Sequence, residues 1–401
     1  MHIENAYRII PVYTADVSGV CSALFELGGM VVMHDPSGCN STYNTHDEIR
    51  WYEMDSQIFI TGLTEVDAVM GNDRKMVDDV IDAAKRLQPK FIVLCGSPVP
   101  FLNGTDFKAL ARIIERETKI PTFAVETNGM HDYVQGAGAA LRQLAERFVE
   151  KSEEKREHTV NILGMTPLDY TYKDAVKSMK KVLEEEEFEV QSVWAMGDSL
   201  EKLKTSGAAS VNLVVSQIGI ETARYLEKEF QIPYVAGVPI GPLRDRVMSA
   251  LRQAETDRKS RVLCSERECM NRSRSMAEIP DGTETVNLPK SQVTIIGEPV
   301  TMGSLAAAIT ETYGYDVQVI SPMEKCEELL ADGDLHLRSE ESIEQALKGK
   351  KNIVADPLYR PICPEGSHFY ELPHAAFSGR CYLKIMPDLL RIFEKEEGTW
   401  D

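Results

Sequence analysis

Gly28-Gly-Met-Val-Val-Met-His-Asp-Pro-Ser-Gly-Cys39 is an apolar run that stops at a turn. Met30-Val-Val-Met33 reads as a short buried strand, and His34-Asp-Pro-Ser-Gly38 is made of residues that punctuate structure. Cys39 then stands where the next helix begins, where the helix dipole and free N–H groups favour a thiolate. Two more cysteines stand in comparable places: Cys21 after Asp16-Val-Ser-Gly-Val20, and Cys95 closing the run Phe91-Ile-Val-Leu94.

Outward from this stretch, strands and helices alternate. A helix over about 20–28 carries Cys21 near its start, and Tyr7–Tyr13 is a candidate strand. Ile58–Ile60 reads as a strand, Lys75–Leu87 as a helix, Phe91–Cys95 as a strand, Leu110–Thr118 as a helix and Ile120–Val125 as a strand. This order is the βαβ signature of a parallel sheet. The charged block 151–158 marks a boundary. Thr159-Val-Asn-Ile-Leu-Gly164 and Ser291-Gln-Val-Thr-Ile-Ile-Gly297 each restart the pattern, with 258–288 a polar connector between them. The expected fold class is therefore α/β, with three βα-repeating units and mainly parallel sheets. The units are assigned to 1–156, 157–288 and 289–401.

The 401 residues suffice for two or three domains of roughly 100–200 residues each. With 43% hydrophobic and 27% charged residues the chain is globular. A net charge of −19 argues against nucleic acid, since phosphate binding needs Lys and Arg. No apolar run approaches the roughly 20 residues of a membrane span, and the N-terminus lacks a signal-peptide pattern. A cytoplasmic protein with no membrane partner is expected. The eight cysteines are spread irregularly, which suits reduced thiols or metal ligands better than a disulfide framework.

Neither Gly164-Met-Thr-Pro nor Gly297-Glu-Pro-Val is a phosphate-binding motif; each reads as a strand-to-helix turn. Gly136-Ala-Gly138 reads as a site of close packing. Cys264 and Cys269 read as surface or partly buried free thiols, and Cys326 as structural. Cys363 and Cys381 flank His368 and His374 in a Pro- and Gly-rich segment that reads as a zinc site or substrate pocket. His368 and His374 are candidate catalytic residues, because histidine is the usual proton donor near neutral pH. Cys21, Cys39 and Cys95 form no local C-x-x-C motif, but all three are expected at turns along one sheet edge, where ligands of open parallel sheets gather. Three cysteines leave a cubane one ligand short.

These residues resemble the nitrogenase component 1 family, which includes nitrogenase molybdenum–iron protein chains, protochlorophyllide reductase and nickel-sirohydrochlorin reductive cyclase subunits. His34–Cys39 resembles the family's Gly-Pro-x-Gly-Cys loop, and Leu63–Gly71 through Lys75 its E-x-D-x-V-F-G-G-x-x-K segment. Cys95, Val160–Gly164, Asp356–Pro361 and Leu372–Gly379 match further segments in order. The resemblance implies three Rossmann-like domains and pairing with a similar or identical subunit. It implies an iron–sulfur cluster, 4Fe-4S or larger and P-cluster-like, with Cys21, Cys39 and Cys95 as cofactor-binding metal ligands and the paired subunit completing the shell. It implies an ATP-dependent iron–sulfur reductase as electron donor, and a small-molecule substrate or second metallocofactor between the domains. Ser216 stands where the nitrogenase catalytic subunit has its cofactor-anchoring cysteine, and a neutral hydroxyl is a poor iron ligand. The expected function is thus a nitrogenase-like oxidoreductase subunit relaying low-potential electrons to a small molecule other than dinitrogen. The alternative is a scaffold or carrier for metallocofactor assembly. A third reading is a three-domain binding protein whose cysteines are structural.

Overall fold

Met30–His34 forms β1, buried along its whole length and paired in parallel on both sides. The structure, a computed structural model, describes residues 8–10, 13–43, 48–152, 154–171, 174–267 and 292–393, without the side chains of Cys39, Ser41 and Thr42. Around β1 the first sheet takes the order β2-β1-β3-β4, with β2 at Gln57–Ile60, β3 at Ile92–Gly96 and β4 at Thr122–Val125. Alternate residues of these strands enter two cores. Met30, Val32, Ile92 and Leu94 pack with helices Asp73–Leu87 and Phe107–Thr118. Val31, Met33, Val93 and Cys95 face the other way, into the core that holds α1 (Asp16–Leu24) and the helix Tyr133–Phe148.

The second sheet is β6-β5-β7-β8-β9, and the third is β12-β11-β10-β13-β14. The strands of the second are β5 (Thr159–Met165), β6 (Glu189–Ala195), β7 (Val211–Val214), β8 (Tyr234–Ala236) and β9 (Arg261–Val262). Those of the third are β10 (Gln292–Ile296), β11 (Asp316–Ser321), β12 (Leu335–His336), β13 (Asn352–Ala355) and β14 (His368–Glu371). All strand pairs in the three sheets are parallel. In each sheet the first strand sits inside and the winding reverses beside it. That creates a crevice at the carboxyl ends of β1/β3, β5/β7 and β10/β13, the place where such sheets bind ligands.

Several local readings change. The helix carrying Cys21 begins at Asp16, because the Asp16 carboxylate accepts from the Val17, Asn128 and Gly129 N–H groups and fixes that end. Cys21 therefore lies in a helix interior, away from any turn. Residues 8–10 form bends, not a strand, and the rest of the proposed arm strand before Tyr13 lies outside the described residues. Arg261–Val262 joins the second sheet as an edge strand, although its polar context suggested only a connector.

The helix Tyr133–Phe148, here α2, was obscured by its glycines, which have poor helix propensity. They serve the close packing expected of them. A Cβ on Gly136 would stand 1.9 Å from the Asp16 carbonyl oxygen, and one on Gly19 2.2 Å from that of Tyr133. The two helices cross backbone to backbone, which fixes α1, and with it Cys21, against the sheet.

Candidate functional site

Two sites lie at the crevices. The first is at β1/β3. Cys95 is the penultimate residue of β3, paired in register with Met33, and its thiol reaches the Val32 carbonyl at 3.6 Å. Its side chain enters the core that holds α1, where Cys21 is also fully buried. The two thiols interact directly: burial raises the Cys21 thiol well above its ordinary value, and the Cys95 hydrogen bond and charge, then Glu48, add to this. Burial thus disfavours a thiolate at Cys21, contrary to the reading that placed it at a helix start. Cys39 is the third residue of the short helix Ser37–Thr42 that follows β1, so its backbone is where the sequence put it; its side chain lies outside the described residues. Among the described residues no three His, Cys, Asp or Glu side chains converge as a metal site. Cys21 and Cys95 are buried in one core, and the Cys39 backbone lies on the first turn after the adjacent strand; thiols are the soft donors that iron–sulfur clusters take.

A buried ion pair backs this site. Arg50 donates to Glu48 at 2.8 Å, to Glu26 at 3.0 Å and to the Ser22 carbonyl at 2.7 Å, with its guanidinium over the Phe25 ring. Burial alone would raise the Glu48 carboxyl, but the Arg50 hydrogen bonds and charge hold it below its ordinary value. Ser22 and Tyr43 donate to the same carboxylate. Pinning Ser22 also orients its neighbour Cys21.

The second site lies where the three sheets meet. Asp169 follows β5, Ser216 follows β7, Glu298 follows β10, and His374 follows β14. The Asp169 carboxylate accepts from Tyr133 and Ser216 hydroxyls, each at 2.5 Å, and His374 Nε2 stands 3.2 Å from it. Gly164, at φ +91°, lets the chain pass under Ser216; a Cβ there would meet the Ser216 carbonyl at 3.0 Å. Glu298 caps the helix Pro299–Tyr313 and accepts from the Gln217 N–H at 2.7 Å, tying the second sheet to the third. Burial, with the charge of Asp169, pushes the Glu298 carboxyl up to about 7. Asp356, after β13, accepts from the His374 N–H at 2.7 Å.

The other candidates do not join these sites. His368 is exposed at the opposite, N-terminal end of β14 from His374. Cys363 is half-buried and bonded to the Tyr359 carbonyl, and Cys381 is exposed, so the expected cluster with the two histidines does not form among the described residues. Cys264 is a fully buried free thiol, where a surface or partly buried one was expected, Cys326 is buried as expected of a structural cysteine, and Cys269 lies outside the described residues. Sequence reading missed Asp169 and Glu298. The available signal was an acidic residue shortly after each strand–Gly turn, most clearly the Glu-Pro pair that starts a helix.

The profile of the nitrogenase component 1 type oxidoreductases matches residues 17–354. A light-independent protochlorophyllide reductase chain from Gloeothece citriformis is 28% identical over 181 residues, covering 43% of this chain and 36% of that one. The corresponding chain of the Nostoc punctiforme enzyme is 25% identical over 221 residues, covering 52% and 43%. The matches thus span well under half the length of these relatives. Among solved structures, nitrogenase Cp1 at pH 6.5 superposes with a TM-score of 0.67 at 16% identity, covering 100% of this chain and 97% of that one. That likeness establishes the shared fold.

Proposed function

The chain belongs to the nitrogenase component 1 type oxidoreductase family, and from that premise we propose that it is the cluster-bearing subunit of a nitrogenase-like reductase. The observation that carries this reading is the buried Cys21–Cys95 contact at the β1/β3 crevice, with Cys39 on the next helix turn. These three residues would hold an iron–sulfur cluster, which when bound stores and passes low-potential electrons. Arg50 and Glu48 fix the α1 side of that site and keep its charges paired. The three units are taken as domains 1–156, 157–288 and 289–401.

The cluster-bearing edge also offers a protein partner a surface. Val66, Val69 and Met70, on the helix after β2, are 70–80% exposed, and Phe101 and Leu102, on the helix after β3, are 51% and 78% exposed. Asn103 bonds the Ala68 carbonyl at 3.0 Å, joining the two helices into one face. Exposed apolar patches of this kind mark interaction sites. We assign it to the paired, similar or identical subunit, whose contact would complete the ligand shell. Electrons would come from an ATP-dependent iron–sulfur reductase and reach a small molecule at the three-sheet junction, where His374 is the acid–base group.

Ser216 donates its hydroxyl to Asp169 and so is engaged in a protein hydrogen bond. That supports a substrate other than dinitrogen. The test is anaerobic purification followed by addition of the reductase with ATP. The reading predicts a brown protein that is bleached only when ATP is present. A colourless, iron-free protein would overturn it.

A further inference from the structure

Arg50 bridges two carboxylates behind Cys21. It donates to both oxygens of Glu48, at 2.8 and 2.9 Å, and to Glu26 at 3.0 Å. Two carboxylates against one guanidinium leave one net negative charge in this buried group. Its two ends differ. Glu48 is the dry end, with a side chain 2% exposed. It accepts from Ser22, the neighbour of Cys21, at 3.1 Å and from Tyr43 at 3.2 Å. Tyr43 shares a core with Cys21 and Cys95, and the Glu48 charge acts on the Cys21 thiol. Glu26 is the wet end. Its side chain is 15% exposed, accepts from the Gly197 N–H at 2.7 Å and lines an open cleft with Asp55, Asp198 and Lys202. A buried ion pair is often no more stable than the apolar side chains that could replace it, so stability alone leaves this one unexplained.

We propose that Glu48 lowers the reduction potential of the iron–sulfur cluster that Cys21, Cys39 and Cys95 would hold. An added electron makes such a centre more negative, and a carboxylate fixed nearby in a low-dielectric core opposes it. Water and salt screen the same charge at Glu26. Arg50 fixes the Glu48 carboxylate and divides its own charge between the two acids, so it does not cancel the dry end. Ser22 and Tyr43 draw part of the Glu48 charge into hydrogen bonds. Glu48 is thus a positioning residue whose field acts at Cys21, and the low potential that the proposed electron relay needs is set in part by this chain's own core. The inference rests on the reading of the three cysteines as cluster ligands and deepens it.

The test is an anaerobic redox titration of the full chain, purified with its iron and any paired subunit, with titanium(III) citrate as reductant and electron paramagnetic resonance as readout. Glu48→Gln should raise the reduced-to-oxidised ratio at a fixed potential at least about tenfold, a midpoint shift of about 59 mV for one electron. Glu26→Gln removes the same formal charge and should change the ratio less than about threefold. Tyr43→Phe frees more of the Glu48 charge and should lower the ratio. Opposite signs from two variants of one contact are not what a loosened core gives. An unchanged or lowered ratio in Glu48→Gln, or equal changes in Glu48→Gln and Glu26→Gln, would overturn the proposal. Should Glu48→Gln fail to fold or to keep its iron, Tyr43→Phe decides: a lowered ratio supports the proposal and an unchanged or raised one overturns it. An iron-free wild type would overturn the cluster reading and this inference together, whereas an iron-loaded wild type with a potential that Glu48→Gln leaves unchanged overturns the inference alone.

Discussion

Glu298 is a buried carboxylate that burial and the charge of Asp169 raise, while the hydrogen bonds from Thr301 and Gln217 pull the other way. Its carboxyl is pushed from 4.5 up to about 7, chiefly by burial. Between those values the folded chain keeps a proton that the unfolded chain has released, so this group's contribution to stability is full below about 4.5 and is lost as pH rises through 7. Glu298→Gln removes the titration, and its urea midpoint should fall less than that of the wild type between pH 5 and pH 8. Parallel pH profiles for the two proteins would contradict this. Arg50 gives a second residue-scale expectation. Arg50→Met leaves Glu48 and Glu26 without their cation in a buried place and should cost about 3–5 kcal/mol in denaturant unfolding. What was legible at this scale is what sequence-local physics sets. Cys95 could be placed because the apolar run and the turn that follows it are local. Asp169 could not, because its partner Ser216 is 47 residues away, Tyr133 arrives on α2 and His374 from beyond the third sheet's last strand. Cys21 was given a helix start because the helix was read from about residue 20, whereas α1 begins at Asp16 and Gly19 is its packing surface.

At the scale of elements, the close crossing of α1 and α2 sets the position of Cys21. A methyl group at Gly136 would fall 1.9 Å from a backbone oxygen, which no rotamer change relieves. Gly136→Ala should therefore destabilise the chain by about 1–3 kcal/mol, or more where the helices cannot separate, with an unchanged urea m-value. It should also lower the iron retained per chain, because the helix carrying Cys21 moves. Normal stability and normal iron would show that the crossing does not position this ligand. The strands were legible as apolar runs ending in Gly or a turn, and the sheets' parallel character followed from their alternation with helices. α2 was not, because small residues that lower helix propensity are also what a helix–helix contact needs, and only the partner helix tells the two apart.

At the scale of the molecule, the same architectural position is used three times. Cys39 and Cys95 flank the reversal in the first sheet, Asp169 and Ser216 in the second, Glu298 and Asp356 in the third. The first carries two cysteines in its backbone, and the other two carry hydrogen-bonded carboxylates with Ser216 beside Asp169. On the proposed function this division would separate an electron-carrying edge from a junction for protons and a small molecule. The apolar face above the first crevice belongs to this scale too. On the proposed pairing at this face, Val69→Asp with Leu102→Asp should shift the assembly to single subunits by light scattering. Both sites are exposed, so stability should change by no more than about 0.5 kcal/mol per site. An unchanged assembly would place the interface elsewhere. Three units were legible from the repeated strand–Gly openings, but their meeting at Asp169 was not, since nothing local in the sequence brings three crevices together.

The central claim, that Cys21, Cys39 and Cys95 together hold an iron–sulfur cluster, is tested most directly by iron and sulfide analysis of anaerobically purified wild-type, Cys21→Ala, Cys39→Ala and Cys95→Ala proteins. Iron and sulfide are expected in the wild type, with a marked loss in each variant. Iron content unchanged in all three variants would contradict the claim.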